Sequence, residues 1–229
     1  MAPSNPFATR FIRPGAIEYL AADGRSLDEI LDALRQSEWW GEIIGPHGSG
    51  KSTLLASLVS VCQRAGKRIV WRTIRGPGSG PPGPQAEQRE EVAATFAAAT
   101  QGAEQWNGDT LLVLDGYEQL GWWTRRRLQS LCRKRGAGLL VTAHRPLGLP
   151  TIVWLEPTEE LAQRVVSKLL PAGDETIDRD DVLRAFAASG RNLRETLFAL
   201  YDVYRLRQGD QCLEDQGPAG QERKPPGEV

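Results

Sequence analysis

The residues Gly45-Pro46-His47-Gly48-Ser49-Gly50-Lys51-Ser52 carry the pattern G-x-x-x-x-G-K-[ST]. Glycines at this spacing let successive backbone N–H groups turn inward around a phosphate, and a helix starting where the loop ends adds the partial positive charge of its N-terminus. The Lys51 ammonium is a mobile point charge able to reach β- and γ-phosphates. The Ser52 hydroxyl is a hard oxygen donor suited to Mg²⁺, and Thr53 follows as the next residue of the helix. Pro46, His47 and Ser49 fill the variable positions; His47 tips the loop, and nothing in the sequence gives it a catalytic role.

A second metal-binding oxygen is expected at the end of a buried strand. Leu111-Leu112-Val113-Leu114 is an uninterrupted apolar run closed by Asp115, where a carboxylate holds Mg²⁺ directly or through water. Hydrolysis also needs a carboxylate that orients or deprotonates the attacking water. The neighbour of Asp115 is Gly116, so the nearest acid is Glu118, either that base or a solvated surface group. The run Leu139-Leu140-Val141 ends in Thr142-Ala143-His144-Arg145-Pro146. In a doubly wound sheet these polar residues lie at the carboxyl edge beside a nucleotide. Thr142 is then placed to hydrogen-bond the water or γ-phosphate and Arg145 to pair with phosphate, whereas His144 reads as a loop residue. Near the C-terminus Arg194, or next Arg191, is a candidate to reach the nucleotide, with a surface salt bridge as the plain alternative for each.

These groups need elements to hold them. Trp39–Ile44 reads as a short apolar strand before the loop, and Ser52–Gln63 as the helix after it. Lys67–Ile74 is a second strand, Leu111–Leu114 and Gly138–Thr142 are buried strands, and Thr151–Leu155 is a last short one. Helices are expected over Gln85–Gln101 and Trp122–Arg135. Strands alternating with helices imply a parallel sheet covered on both faces. Ahead of this core, residues 1–38 read as an extended arm with Pro3, Pro6 and Pro14, then a helix through Leu27, Ile30, Leu31 and Leu34, capped by Ser26 and Glu29. The core spans 39–157 and is interrupted by a flexible Gly/Pro loop at 76–84. Beyond it the pattern is helical only, a lid subdomain over 158–207 in which Leu161, Val165, Val166, Leu169 and Leu170 form one stripe. Residues 208–229 have no apolar period and are expected to be disordered.

Composition narrows the class. The 229 residues include 28 basic and 29 acidic side chains, a net charge of −1, so there is no global attraction to nucleic acid or membrane. Basic residues do cluster locally: the Arg125–Arg135 helix is placed to touch nucleic acid, to offer an arginine to a neighbouring subunit, or simply to form a solvated face. Trp39-Trp40 and Trp122-Trp123 are expected to be packing residues first, with some exposed, and nothing in the sequence makes them a base-stacking platform. No apolar stretch approaches the roughly 18 residues that span a bilayer, and the cytoplasm is the default compartment. Cys62, Cys132 and Cys212 lack metal-ligand spacing and read as inert thiols.

With these motifs in place, residues 40–207 resemble the AAA+ and STAND branch of P-loop NTPases. LLVLDGYEQL (111–120) is similar to the NACHT-type acidic strand, with Glu118 at one of its acidic positions. LLVTAHRP (139–146) is similar to the sensor strand, with Thr142 and Arg145 in its polar positions. The segment from Ile152 to Asp202 resembles the helical lid, with Arg194 or Arg191 as its sensor arginine. The resemblance implies a three-layer α/β/α core with a C-terminal helical lid, binding of ATP with Mg²⁺, and hydrolysis coupled to lid movement. The chain departs from the family in lacking an adjacent acidic pair and in running almost directly from the sensor strand into the last strand. A non-hydrolysing nucleotide-sensing adaptor and a small-molecule or nucleotide kinase are the alternatives. ATP is favoured over GTP because no Asn-Lys-x-Asp motif occurs, and a protein partner or homo-oligomer stays open.

Overall fold

The computed structural model describes residues 5–74, 94 and 96–214. Five strands, β1 (Trp40–Ile44), β2 (Arg68–Thr73), β3 (Thr110–Asp115), β4 (Gly138–Ala143) and β5 (Thr151–Trp154), form one sheet in the order β2-β3-β4-β1-β5. Every pairing is parallel. Because β4 enters between β1 and β3, Thr142 pairs with Ile43 on one side while Val141 pairs with Leu114 on the other. The end of β4 therefore lies between the phosphate loop and Asp115.

Alternation along the buried strands divides the core into two faces. Leu111 and Val113 pack with Leu54, Leu55 and Leu58 of the helix Lys51–Arg64 and with Ile30, Leu31 and Leu34 of the helix Leu27–Gln36. Leu112 and Leu114 turn the other way, onto Leu128 and Cys132 of a long basic helix (Trp122–Arg135) and onto Ala99, Ala103 and Trp106. Each fully buried leucine contributes about 1.5–3 kcal/mol. The result is an α/β fold with a five-stranded parallel sheet flanked by helices. The capping box expected at Ser26 and Glu29 is formed, with Glu29 N–H donating to Ser26 Oγ at 3.2 Å and Ser26 N–H to Glu29 Oε2 at 2.7 Å.

One buried charge belongs to the sheet. Glu42 of β1 is fully buried. Its carboxylate accepts from the Leu147 N–H at 2.9 Å and the Thr151 hydroxyl at 3.4 Å. It thereby ties the β4–β5 connection, which carries His144, to the strand that leads into the loop.

The C-terminal part is helical: Glu159–Leu169, Arg179–Ala188 and Leu193–Glu214. These helices enclose a third apolar cluster that includes Leu161, Val166, Val182, Phe186, Leu197 and Leu200. Two expectations are corrected here. The tail expected to start at 208 gives way to a helix that continues to Glu214. Gly209 is the poorest helix former in that stretch, at a cost of about 1 kcal/mol, and no proline occurs before Pro218. The arm does not extend freely either: Phe7 is buried in the lid cluster with its ring edge-on to Tyr204 at 5.9 Å. Asn5 Nδ2 donates to the Tyr201 carbonyl at 2.9 Å, and Arg164 to the Ala21 carbonyl at 3.1 Å. The 76–84 loop, most of the helix expected over 85–101, and residues 215–229 lie outside the described residues.

Candidate functional site

The phosphate loop is shaped by its glycines. A Cβ on Gly45 would lie 2.6 Å from Ser49 Oγ and 2.7 Å from the Leu155 carbonyl, and Gly48 and Gly50 adopt φ of +69° and +89°. Those conformations favour glycine. Gly50 caps the helix Lys51–Arg64 without a side-chain partner, so the first-turn N–H groups keep their donors for a ligand. Lys51 is 9% exposed and turned back on the loop. Its Nζ donates to the carbonyls of Gly45 and Pro46, both at 2.6 Å, and lies 3.3 Å from His144 Nδ1. Burial lowers the proton affinity of this ammonium, against the opposing pull of Glu118 and Asp115.

Asp115 joins three elements. Its Oδ2 accepts from Ser52 Oγ at 2.8 Å and its Oδ1 from Thr142 Oγ1 at 2.6 Å. Thr142 Oγ1 in turn accepts from the Gly116 N–H at 2.9 Å. The hydroxyl of Thr142 is thus fixed in direction, donating to the carboxylate and accepting from the turn after it. Gly116 has φ +87°, and a Cβ there would sit 2.5 Å from the Ile74 carbonyl. A second acidic residue beside Asp115 is excluded by that backbone, which accounts for the missing pair.

Glu118 stands in the 3₁₀ turn Tyr117–Gln119 that follows. Its Oε1 lies 3.0 Å from His144 Nε2, and its Oε2 is buried with no hydrogen-bond partner. His144 Nδ1 lies 3.1 Å from the Gly45 carbonyl, and the His144 ring lies against that of His47 with centroids 3.9 Å apart. The neighbouring His144 ring, then burial and the Lys51 ammonium, hold His47 below the ordinary histidine range. When His144 carries its proton on Nε2 it donates to Glu118 and Nδ1 accepts from Lys51; with the proton on Nδ1 it donates to the Gly45 carbonyl instead.

These groups form the polar end of a cavity of about 410 Å³ lined by His47 through Thr53, Asp115, Glu118, Thr142 and His144. Its apolar end draws on the arm through Ile12, Pro14 and Ile17, and on the lid through Leu161, Val165 and Leu197. Arg194 lines it from the lid, its guanidinium 5.8 Å from the Phe198 ring centre. Gly45 and Pro46 contribute carbonyls to Lys51 and do not line the cavity. Arg145 is exposed and outside it, one residue past His144, which takes the inward place. Arg191 is exposed with φ +64°. The adjacent Asn192 touches the loop, because a Cβ on Gly48 would lie 1.7 Å from Asn192 Oδ1.

The donor set fits a hard cation sharing its shell with phosphate. Among the described residues no group of three or more His, Cys, Asp and Glu side chains converges for a metal. Ser52 and Asp115 instead supply one hydroxyl and one carboxylate, as suits Mg²⁺, which keeps waters and takes substrate oxygens.

No protein-family model and no curated protein matches the chain. Among solved structures it is similar to a mutant RuvB of Thermotoga maritima, with 13% identity and a TM-score of 0.49, over 89% of this chain and 77% of that one. It is also similar to C. elegans PCH-2, with 12% identity and a TM-score of 0.42, over 90% and 74%. A chain of the E. coli HORMA:CdnC:Trip13 complex is 19% identical with a TM-score of 0.36, over 63% of this chain, which spans 58% of that one. The fold assignment rests on the sheet and loop of this chain itself. No helix among the described residues is long and apolar enough to cross a membrane.

Three contributors were missed by sequence reasoning. His144 carried no motif of its own; its one signal was its place two residues beyond Thr142 at the strand end. The arm joins the cavity through long-range packing, which local periodicity does not report. Asn192 stands just before the last helix, and nothing in its neighbours signals that it faces Gly48.

Proposed function

We propose that the chain is a Mg²⁺-dependent ATP-binding P-loop NTPase of the AAA+/STAND type that hydrolyses ATP and couples turnover to lid movement. The observation that carries this reading is the chain of hydrogen bonds from Ser52 through Asp115 to Thr142 at the end of the phosphate loop. It gathers the proposed metal donors and a γ-phosphate ligand from two strand ends and the first turn of the helix after the loop, at one mouth of the cavity. In this reading Lys51 leaves the Gly45 and Pro46 carbonyls for the β- and γ-phosphates, and the N–H groups of Gly48 through Ser52 cradle them. Glu118 accepts the proton of the attacking water, its unpartnered Oε2 being the free acceptor. Mg²⁺, when bound by Ser52 and Asp115, supplies charge neutralisation on the phosphates. The apolar end between arm and lid takes the base, and Arg194 approaches from the lid as the sensor arginine.

Binding of a fluorescent ATP analogue and release of inorganic phosphate test this reading, with and without Mg²⁺. Wild-type protein is expected to bind in a Mg²⁺-dependent way and to release phosphate without an acceptor. Lys51→Ala is expected to lose binding at least about 100-fold, and unchanged affinity would overturn the assignment. Binding without release would favour the sensing adaptor, and release only with an acceptor hydroxyl the kinase.

A further inference from the structure

Outside the cavity, the helix Trp122–Arg135 is chemically unlike the rest of the surface. It holds six basic residues and no acidic one, in a chain whose basic and acidic totals nearly cancel. A solvated helix face ordinarily interleaves both signs and gains from i,i+4 pairs. Among the described residues no ion pair reaches any of these six cations. Four of the arginines lie instead near aromatic rings, among them Arg126, 5.6 Å from the Trp122 ring centre, and Arg133, 4.9 Å from that of Trp40. Stacking of this kind holds a guanidinium flat and leaves its N–H edges as donors.

The same helix begins with two indoles that do not pack into the protein. Trp122 is 54% exposed and Trp123 is 80% exposed, so these are the tryptophans expected to lie outward. Inward positions are taken by Thr124, Leu128, Gln129 and Cys132. The outward stripe runs from Trp122 and Trp123 through Arg126 and Ser130 to Arg133 and Lys134. At 1.5 Å per residue it is about 15–18 Å long.

From these observations we propose that this helix is a binding surface for single-stranded nucleic acid. Uncompensated cations along the stripe complement a polyanion, and the exposed indoles offer stacking faces that only unpaired bases can occupy. A folded acidic protein would meet the cations but would leave the exposed indole pair without a planar partner, and a duplex keeps its base faces covered.

The test uses the whole chain without nucleotide, so its result is independent of the site reading above. Fluorescence anisotropy follows a labelled thymidine oligomer of about 20 nucleotides, the uridine equivalent, the matching duplex, and a poly-glutamate peptide. Saturable binding of the thymidine or uridine oligomer is expected, at least about tenfold tighter than the duplex or the peptide; which of the two binds better separates DNA from RNA. Trp123→Ala is expected to weaken binding about tenfold, and Trp123→Phe to restore most of it. Reversing Arg126, Arg133 and Lys134 to Glu is expected to lower the slope of log affinity against log salt by about 2, at roughly 0.7 per phosphate contact. Circular dichroism melts establish that these exposed variants stay folded. Equal affinity for duplex or poly-glutamate, or affinity unmoved by both Trp123→Ala and the charge reversal, would overturn the proposal.

Discussion

Replacing Gly48 with Ala tests whether the lid is energetically joined to the phosphate loop. A Cβ at Gly48 would lie 1.7 Å from Asn192 Oδ1, at a backbone φ of +69°. Two costs arise. An L-residue in the left-handed region costs about 1–2 kcal/mol. Displacing the Asn192 amide takes its oxygen from the Arg194 and Glu195 N–H groups, 3.0 and 3.2 Å away, and so removes an N-cap of about 1 kcal/mol. Restriction of the unfolded chain offsets about 0.5 kcal/mol. The net destabilisation is about 2 kcal/mol, or about 4–8 °C in a chain of this size. Asn192→Gly alone is expected to cost about 0.3 kcal/mol, because glycine is a tolerated cap. In the double variant the collision has disappeared and only the backbone strain remains. It is therefore expected to be about 1 kcal/mol more stable than the summed single effects predict. Urea unfolding of the four chains measures the cycle. Additivity within about 0.3 kcal/mol would refute the contact as an energetic link.

Glu118→Gln is expected to leave ATP affinity within about threefold while phosphate release falls at least about 100-fold; full release would remove Glu118 from the proposed chemistry. Thr142→Val strips Asp115 Oδ1 and the Gly116 N–H of their shared partner. A loss of about 1–3 kcal/mol in denaturant unfolding is expected, together with weaker Mg²⁺-dependent nucleotide binding. Asp181 sits at the centre of the lid, where burial opposes its charge but hydrogen bonds from Arg207, the Asp178 backbone and Arg184 outweigh it and hold the carboxyl at about 2, against an ordinary 3.8. Because the folded value is the lower one, this stabilisation is full above about pH 4 and is lost as pH falls through about 2. The shift corresponds to about 2 kcal/mol. An acid titration of thermal stability is expected to show that loss in wild type and a flatter profile in Asp181→Asn.

What the sequence disclosed and what it hid have physical reasons. The phosphate loop, the five strands and the Ser26–Glu29 cap were legible because each depends on residues within a few positions of one another. Glycine spacing, an apolar run or a capping pair is a local signature. The missing acidic pair after Asp115 looked like a defect in the motif. It is a steric requirement instead, set by the Ile74 carbonyl 2.5 Å from where a Gly116 Cβ would stand. Nothing local to Gly116 announces that neighbour, because it belongs to the end of β2. Arg145 fits the phosphate-pairing role by residue type, yet lies exposed, and the residue before it takes the position facing Glu118. The exposed indoles of Trp122 and Trp123 were hidden for the converse reason. Tryptophan is most often buried on average, and only the helix's orientation on the sheet decides which side it presents.

His144 links the parts of the site proposed to bind phosphate to the part proposed to act on water. All three donors of the Lys51 ammonium are engaged, by the carbonyls of Gly45 and Pro46 and by His144 Nδ1. A phosphate that draws Lys51 away therefore has to replace those contacts, and it leaves His144 Nδ1 opposite the Gly45 carbonyl at 3.1 Å. Two acceptors cannot face each other at that distance without cost, so in the proposed reading a move of Lys51 onto phosphate is felt at the one imidazole that also contacts Glu118, at 3.0 Å. That coupling needs no movement of the sheet, because β1, β3 and β4 already hold the three partners side by side.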